Sequence, residues 1–429
     1  MNPRVRALLF VVLLMAAALP KGLAAQTPAD TASARMDSLA ARLEKAEQSI
    51  ELLTHRLEEQ NQSKVQSRSR NHVEISGLIL FNGWYNDARV NNTSNPQFVA
   101  TPQDSSGLPN ANLAAAVRQS RLGFSISGMR AAGANLSGDI QLDFAGGQQP
   151  SSGGRTFPLP RIRTAVVRLD WRHLGLLVGQ DVQLISPLNP VSFAAVSTPE
   201  FTAAGNLWFW LPQVRLTYET GTKVRAGIQV AALAPVAGTP QPGFLDSADI
   251  AEKSRKPFVQ GRVYVGWGDG DAESEIGFGV HHGWIATTGD TDLTSQAYSV
   301  DAKISLGEKI QLLGEGYFDG EATAGLGGGG IGQEFGLGGR PVKSRGGWGQ
   351  LNLRPSFTWE IGGGAGFDDP DDAFLTPMQR GRNIIYEGHI HWRPGGGFIA
   401  GTTFRRIETT YAPGTISANH FNAFVGLAF

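Results

Sequence analysis

The stretch HFNAFVGLAF, residues 420–429, shows the kind of element from which this chain is built. Phe421, Val425 and Phe429 fall on one side of a period-two pattern, whereas His420 falls on the other. Successive side chains of a β-strand point to opposite faces of a sheet. The stretch therefore predicts a strand with one apolar face and one face that is polar or small.

The same pattern continues through most of the chain. From Val73 onward, segments of roughly ten residues alternate apolar with polar or small side chains, and Gly, Asn, Asp and Pro separate them. The predicted strands are 73–86, 117–128, 134–144, 161–171, 173–180, 211–219, 222–232, 257–267, 273–285, 295–304, 310–318, 346–354, 355–364, 382–392, 397–406 and 419–429. Their number is about sixteen, and an even number is typical of bacterial membrane barrels.

The connections between these strands alternate in length. The long ones are 87–116, 145–160, 181–210, 233–256, 286–294, 319–345, 366–381 and 407–418, and the tight ones lie near 129–133, 172, 220–221, 268–272, 305–309, 354–355 and 393–396. An up-and-down barrel with one rim of short turns and one of long loops produces this alternation. We therefore predict an all-β fold, a transmembrane antiparallel up-and-down β-barrel of about sixteen strands preceded by a short helical coiled coil.

Charged side chains occupy the polar faces of many strands, which disfavours a soluble barrel with an apolar core. A barrel of this strand number is wide enough to hold water, so we expect the apolar faces to contact lipid. Tryptophans support two interfacial girdles: Trp84, Trp284 and Trp348 lie next to long connections, and Trp171, Trp267 and Trp392 lie next to tight ones. Scattered core tryptophans are the alternative, because Trp359 falls within a predicted strand.

The N-terminal part of the chain has a different organisation. Residues 1–25 have the basic start, short apolar run and small residues of a signal peptide, although a buried N-terminal helix is the alternative. Residues 32–60 carry a heptad seam that predicts a coiled coil, unless this helix packs on its own barrel. Residues 61–72 read as a polar linker, and 73–429 form the barrel domain. No cysteine is present, so the exported chain does not depend on disulfides.

Composition and motifs argue against several functions. A formal net charge of −1 does not suit nucleic-acid binding. His389, His391 and Glu387 share a face of one strand, with His281 on another, but spacing of this kind is what any alternating polar face produces. The glycine-rich segment from Gly325 lacks a phosphate-binding context and predicts a flexible extracellular loop. We therefore expect no catalytic residue, no cofactor and no metal.

Inward-facing charges are the candidate determinants of solute selectivity. They are Arg121, Arg168, Arg215, Arg225, Arg262, Arg354, Arg405, Glu275, Glu315 and Glu387. Arginines near mid-depth on the first half of the sheet face carboxylates on the second half. Guanidinium groups bind carboxylate and phosphate in a bidentate manner, so the pattern suggests a preference for small anions such as dicarboxylates. The equally weighted alternative is that these charges only solvate the lumen.

The chain resembles the DcaP-like porins of Gram-negative outer membranes. The resemblance lies in RQSRLGF at 118–124 and in the strand pair that runs from Arg161 through LLVGQ into a loop with Pro187 and Pro190. It implies an outer-membrane location, a periplasmic coiled coil, a homotrimer, and passive diffusion of small hydrophilic solutes through a water-filled channel.

The resemblance also implies roles for two parts of the chain. The loop 181–210 is expected to fold into the lumen and narrow it, with an exposed mobile loop as the alternative. Phe429, the terminal aromatic, is expected to be an assembly signal for the barrel-assembly machinery. The alternative function is an envelope-tethering protein whose N-terminal helix binds a periplasmic partner or the cell wall.

Overall fold

The computed structural model describes residues 64–65, 71–101, 109–147, 158–237, 248–289 and 291–429. Contacts divide the chain into two units, 1–60 and 61–429. The predicted signal peptide and coiled coil lie outside the described residues, so both stay predictions.

Eighteen β-segments make up the described fold. They are β1 Lys64–Val65, β2 His72–Asn86, β3 Asn112–Ala116, β4 Arg121–Ala131, β5 Ala134–Asp143, β6 Arg161–Asp170, β7 Leu174–Val182, β8 Trp210–Gly221, β9 Val224–Leu233, β10 Phe258–Trp267, β11 Ser274–Ile285, β12 Leu293–Leu306, β13 Ile310–Glu321, β14 Lys343–Ser356, β15 Trp359–Pro370, β16 Arg380–Gly395, β17 Phe398–Tyr411 and β18 Gly414–Ala428. Short helical turns occur at Glu252–Ser254, Gly270–Ala272, Ala324–Leu326, Gly329–Gly332, Leu337–Gly339 and Asp372–Phe374.

These segments form one closed antiparallel barrel of sixteen strands, as the sequence predicted. β3 and β4 act as one interrupted strand, because β3 pairs with the second half of β2 and β4 with its first half. The remaining strands pair with their neighbours in chain order. Among the described residues, no helix is long and apolar enough to cross a membrane.

The barrel closes where β18 pairs with β2. The register runs from His420 opposite Asn86 to Ala428 opposite Leu78. Phe429 continues the seam, since its amide donates to Gly77 O at 3.1 Å and its carbonyl accepts from Gly77 N at 2.8 Å. The Phe429 ring also covers the space where a side chain at Gly77 would lie.

β1 extends this seam with residues from the predicted linker. Lys64 and Val65 pair with Glu74 and Val73 of β2. Because β4 occupies the other edge of β2 at these positions, β1 takes the part of the free edge that β18 does not reach. The linker is therefore not wholly detached from the sheet.

Side chains sort by strand alternation into an apolar outer face and a polar inner face. Exposed outer side chains include Ile79, Phe81, Val167, Val214, Leu216, Ile228, Val263, Ile276, Val300, Leu351, Ile361, Tyr386, Ile390, Phe404, Phe421 and Val425. A continuous apolar surface of this size is unfavourable in water, so an apolar belt around the whole barrel indicates contact with lipid.

The aromatic residues follow the predicted girdles only in part. Trp359 and Trp392 stack at 6.1 Å beside the tight-turn rim, so Trp359 belongs to a girdle and the mid-strand prediction was wrong. Trp84 and Trp348 were also placed wrongly, because both are buried on the inner face. Trp348 stacks on Phe201 of the connection between β7 and β8, an apolar contact that lipid would otherwise provide.

Several predicted connections differ from the structure. The predicted link 87–116 is wrong at its end, which forms β3, Asn112–Ala116. Residues 407–418 are not a long link, since β17 and β18 continue until Tyr411 pairs with Gly414 across a two-residue turn. The outward side chains of this extension are polar, such as Glu408 and Thr410, whereas the inward Ile407 and Tyr411 are buried, so the apolar-outward pattern ends while the backbone ladder continues. The glycine-rich segment from Gly325 is not a free loop: it packs into the barrel mouth, with Leu326 and Ile331 fully buried.

The seam yields a prediction for assembly. Replacing Phe429 by Ala should lower the yield of folded barrel, because the ring that covers Gly77 is lost beside the closing strand pair. Heat-modifiable migration on a gel measures the folded fraction. Phe357→Ala is the matched control, since Phe357 is 69% exposed. Equal folded fractions for the two variants would contradict the prediction.

Candidate functional site: the lumen and the loop inside it

Residues 183–209, between β7 and β8, lie inside the barrel rather than above it. The segment hydrogen-bonds to the inner face of strands around most of the circumference. Leu184 N donates to Gln260 Oε1 of β10 at 2.8 Å, and Val191 N donates to Gln350 Oε1 of β14 at 2.7 Å. We call residues 183–209 the inner loop.

Basic side chains hydrogen-bond the inner loop at Val196 and Ser197. Arg163 donates to Val196 O at 2.5 Å, and Arg161 donates to Ser197 O. Both guanidiniums also pair with Asp143, at 3.3 and 2.7 Å. The loop carbonyls therefore complete the coordination of two arginines that share one carboxylate.

A buried ion pair fixes the middle of the inner loop. Glu200 pairs with Arg405 of β17, and each side chain is 1% exposed. Arg405 also donates to Asn95 Oδ1 at 2.6 Å, while Asn95 Nδ2 donates to Thr198 O at 2.6 Å. Burial raises the pKa of the Glu200 carboxyl above its ordinary value, against the opposite influence of Arg405. We call Glu200, Arg405 and Asn95 the loop latch.

On β13, four strands from β17, a wall carboxylate accepts from the first part of the inner loop. Glu315 of β13 accepts from the Ser186 hydroxyl and from Leu188 N at 2.6 Å. Trp348 of β14 also donates to Glu315, at 3.4 Å, and stacks on Phe201 of the loop. Glu315 is thus a hydrogen-bond acceptor for the inner loop and not a free charge in the lumen.

Backbone contact replaces side-chain packing at one point of the loop. Gly205 has φ of 98°, a left-handed conformation that favours glycine, and a Cβ there would strike the backbone of Gly347 in β14. A Cβ at Gly366 of β15 would likewise meet Ala204 O and Phe201. The loop therefore lies directly on the strand backbones at this position.

The ten predicted selectivity residues occupy inner-face positions, but most are engaged. Arg168 pairs with Asp139, Arg215 with Asp181, Arg225 with Glu273, Arg262 with Glu275 and Asp301, Arg354 with Glu360, and Arg405 with Glu200; Glu315 binds the loop, and Glu387 accepts from His389 and Gln350. Arg225 lies at the tight-turn rim rather than at mid-depth. Carboxylates lie next to these arginines, so the lumen does not have one purely basic wall that faces one purely acidic wall.

Arg121 differs from the other predicted arginines. It forms no ion pair with any described residue, and it stands opposite Asp143 in the strand register. Two residues earlier, Gln119 bonds the inner loop through Ala194 O at 2.6 Å and Val196 N at 2.6 Å. Arg121 is therefore a lumen-facing cation beside the inner loop.

Sequence alternation missed Arg161 and Arg163 as lumen residues. Arg168 and Asp170 face inward, so strict alternation along the strand would place Arg161 and Arg163 on the outward face. The β5–β6 register, however, shifts between Gln141 and Leu142, which leaves Arg163 as an extra residue in β6. A β-bulge of this kind reverses the alternation beyond it, so both guanidiniums face the lumen. Only an interruption in the apolar pattern could have signalled the bulge.

Residues 322–342 form a second folded segment at the long-loop rim. Leu326 O accepts from Phe209 N at 3.3 Å, which joins this segment to the end of the inner loop. Glu334 accepts from Gly325 N at 2.9 Å, and its other carboxyl oxygen is buried without a hydrogen-bond partner. Burial raises the pKa of Glu334 to about 7.

Histidines and carboxylates also meet on the inner wall of β15 and β16. Glu360, His389 and His391 offer ligand atoms within 4.8 Å of one another. The sequence had grouped the histidines with Glu387 and His281. Glu387 does contact His389, at 2.7 Å, but His281 lies on β11 and bonds Gln260 and Ser295 instead.

Solved outer-membrane channels share this fold. The outer membrane channel DcaP of Acinetobacter baumannii is similar with a TM-score of 0.64 and 14% identity over 86% of this chain and 100% of that one. The anion-selective porin from Comamonas acidovorans is similar at 0.52 and 13%, covering 84% of this chain and 100% of that one. A trimer form of OmpT from Vibrio cholerae is similar at 0.50 and 9%, covering 84% and 99%. No protein-family model and no curated protein sequence matches the chain significantly.

The loop latch yields a stability prediction. Glu200→Gln should destabilise the folded barrel by about 3–5 kcal/mol, because it leaves the Arg405 guanidinium buried without a counter-ion. Guanidinium unfolding in detergent measures the change, and protease cleavage within 183–209 should become faster. The double variant Glu200→Gln/Arg405→Met should regain part of the loss.

An exposed ion pair provides the control for the latch. Arg345 and Asp369 lie 3.0 Å apart, with Arg345 71% exposed. Asp369→Asn should change stability by only ~0–1 kcal/mol. A loss in Glu200→Gln no larger than this would contradict the latch.

Glu334 yields a pH prediction for the segment 322–342. Its folded pKa, about 7, lies above the unfolded value, so the folded state holds the proton more tightly. This stabilisation is fully present below the unfolded pKa of roughly 4.3 and is lost as the pH rises through the folded pKa. Hydrogen exchange at the Gly325 amide, corrected for intrinsic rates, should show stronger protection near pH 5 than near pH 8.

Glu334→Gln should remove this pH dependence, because an amide accepts from Gly325 N without ionising. Glu308→Gln, an exposed position in the turn between β12 and β13, should leave it intact. A pH dependence that persists in Glu334→Gln would assign the effect to another group.

Proposed function

We propose that this protein is an outer-membrane porin of the DcaP-like type, through which small hydrophilic solutes diffuse passively. The observation that carries the proposal is the combination of a closed sixteen-strand barrel with an apolar exterior and an inner loop bound to the wall. The inner face is polar and charged, as a water-filled passage requires. The proposal includes no catalytic step and no cofactor.

The inner loop is the proposed constriction. A loop that binds β10, β13, β14 and β17 from within crosses the lumen and reduces the area left for water. Ion pairs and hydrogen bonds anchor it on several sides. We therefore favour an aperture of fixed width over a loop that switches between an open and a closed position.

We further propose a preference for small anions such as dicarboxylates. Arg121, Arg161 and Arg163 cluster beside the inner loop with a single neighbouring carboxylate, Asp143. Three guanidiniums and one carboxylate leave an excess of two positive charges at the proposed constriction. A field concentrated where the water path is narrowest acts most strongly on a passing ion. The Comamonas acidovorans neighbour is described as anion-selective, which agrees with this proposal.

The proposed assembly and partners follow the same model. The apolar exterior contacts outer-membrane lipid, the barrels form a homotrimer, and the barrel-assembly machinery recognises the strand that ends at Phe429. A trimer form of the Vibrio cholerae neighbour supports the oligomeric state. The N-terminal helix would lie in the periplasm.

Planar-bilayer recordings test both channel formation and selectivity. Wild-type protein should insert with current steps in groups of three and a reversal potential that reports anion preference. Arg121→Ala should shift the permeability ratio of chloride to potassium toward potassium by a few-fold, because it removes an unpaired cation at the constriction.

Arg225→Ala is the matched control for this measurement. It also removes one positive charge from the inner face, but at the tight-turn rim, where Arg225 pairs with Glu273. It should shift the ratio less than Arg121→Ala. Cation preference in wild type, or equal shifts in the two variants, would reject the proposed anion filter while leaving channel formation standing. An absence of current would reject the porin itself.

A further inference from the structure

Gly362 lies on the inner wall at the centre of three strands. Asn352 of β14, Gly362 of β15 and His389 of β16 stand side by side in the register. A Cβ at Gly362 would collide with both Asn352 Oδ1 and His389 Nε2. The absence of a side chain at Gly362 therefore lets the Asn352 and His389 side chains lie directly over its backbone.

Three polar atoms in this part of the wall have no hydrogen-bond partner among the described residues. Asn352 Oδ1, His389 Nε2 and His391 Nε2 are buried without a hydrogen-bond partner. Both histidine side chains are 0% exposed. Buried polar groups without partners are rare and point to an unseen ligand such as a water or an ion.

Neighbouring carboxylates complete a donor set that suits a metal. Glu360 Oε1 lies 3.0 Å from His391 Nδ1 and 3.9 Å from His389 Nε2. Glu387 Oε1 lies 2.7 Å from His389 Nδ1. Glu387, which accepts from Nδ1–H of His389, fixes the tautomer in which His389 Nε2 carries the free lone pair, and this arrangement is the usual outer support of a metal-binding histidine. His391 faces Glu360 through Nδ1, so Nδ1 is its ligand atom.

We propose that Glu360, His389 and His391 bind one divalent transition-metal ion of the Zn²⁺ class in the wall of the lumen. Two imidazoles and a carboxylate are the protein ligands of open zinc sites, which keep a further position for water. Asn352 Oδ1 is placed to accept from that water. Glu387 acts as the positioning residue for His389. The site does not depend on the proposed transport function.

Two features of the cluster set how the ion binds. The imidazole rings stack at 4.1 Å with 14° between their planes, so they must tilt about χ2 to aim at one ion; this torsion is broad and soft. Arg354 and Arg393 also hydrogen-bond Glu360, at 2.8 and 3.1 Å. Their charge opposes that of the ion, so we expect affinity below that of structural zinc sites.

Metal titration of full-length protein without a polyhistidine tag tests the proposal. Isothermal titration with Zn²⁺ in detergent should give one saturable site per chain. His389→Gln and His391→Gln should each weaken binding by at least about 10-fold. Cu²⁺ loading should give an electron paramagnetic resonance spectrum with coupling to two imidazole nitrogens, and to one in His389→Gln.

Two further variants keep the proposal testable if a histidine variant fails to fold. Gly362→Ala retains every ligand but would displace the His389 ring that lies over Gly362, and should also weaken binding. Arg393→Gln removes an opposing charge, and should tighten it. His281→Gln is the control, because both nitrogens of this buried histidine are already bonded, at 3.2 and 3.1 Å.

Wild type without saturable binding would overturn the proposal and leave buried water as the partner of the unpaired atoms. Binding that is unchanged in the two histidine variants, or in Gly362→Ala and Arg393→Gln, would overturn it as well. Loss of binding in His281→Gln to the same degree would show a response to general disturbance of the wall, which also rejects the assigned ligands.

Discussion

Pairing of the backbone at the β18–β2 seam is the constraint on which the rest of this structure depends. Inside hydrocarbon, each N–H and C=O without a partner costs several kcal/mol, so a sheet there must close upon itself. The seam pairs His420 through Ala428 with β2, and β1 covers part of the edge that remains. Once the sheet is closed, each side chain of a strand faces either lipid or the lumen. The charges, the inner loop and the histidine cluster owe their positions to that closure.

The sequence was sufficient for those features that follow from local periodicity. All sixteen barrel strands were predicted, because a strand that separates lipid from water must alternate along its length. The prediction was wrong where the outward face is no longer apolar or the inward face is no longer polar. Before Tyr411, the outward Glu408 and Thr410 are polar while the inward Ile407 is buried, so the apolar-outward pattern is lost although the strands stay paired. Near the long loops, Trp84 and Trp348 are buried inside the barrel instead of lying at the membrane interface.

The candidate site was less accessible to sequence reasoning, because its contacts are not local. The bulge at Arg163 depends on the register with β5 and reverses the orientation of Arg161 without any change of composition. Glu387 lies closest to His389 in sequence, yet Glu360 joins the histidines through strand pairing. The charges expected to line an open channel are mostly committed to anchoring, as Glu315 and Arg405 show. A pattern of charge along a strand gives the face that a residue occupies, but it does not give its partner.

The latch between Glu200 and Arg405 has a consequence for biogenesis. Its partners are 205 residues apart in the chain, and contacts of such long separation form late because a large loop must first be closed. The latch can form only when the inner loop and β17 are both in place within the barrel. Until then Arg405 lacks the anion that pairs with it in the folded protein. Attachment of the inner loop to the wall at this point is therefore coupled to closure of the barrel.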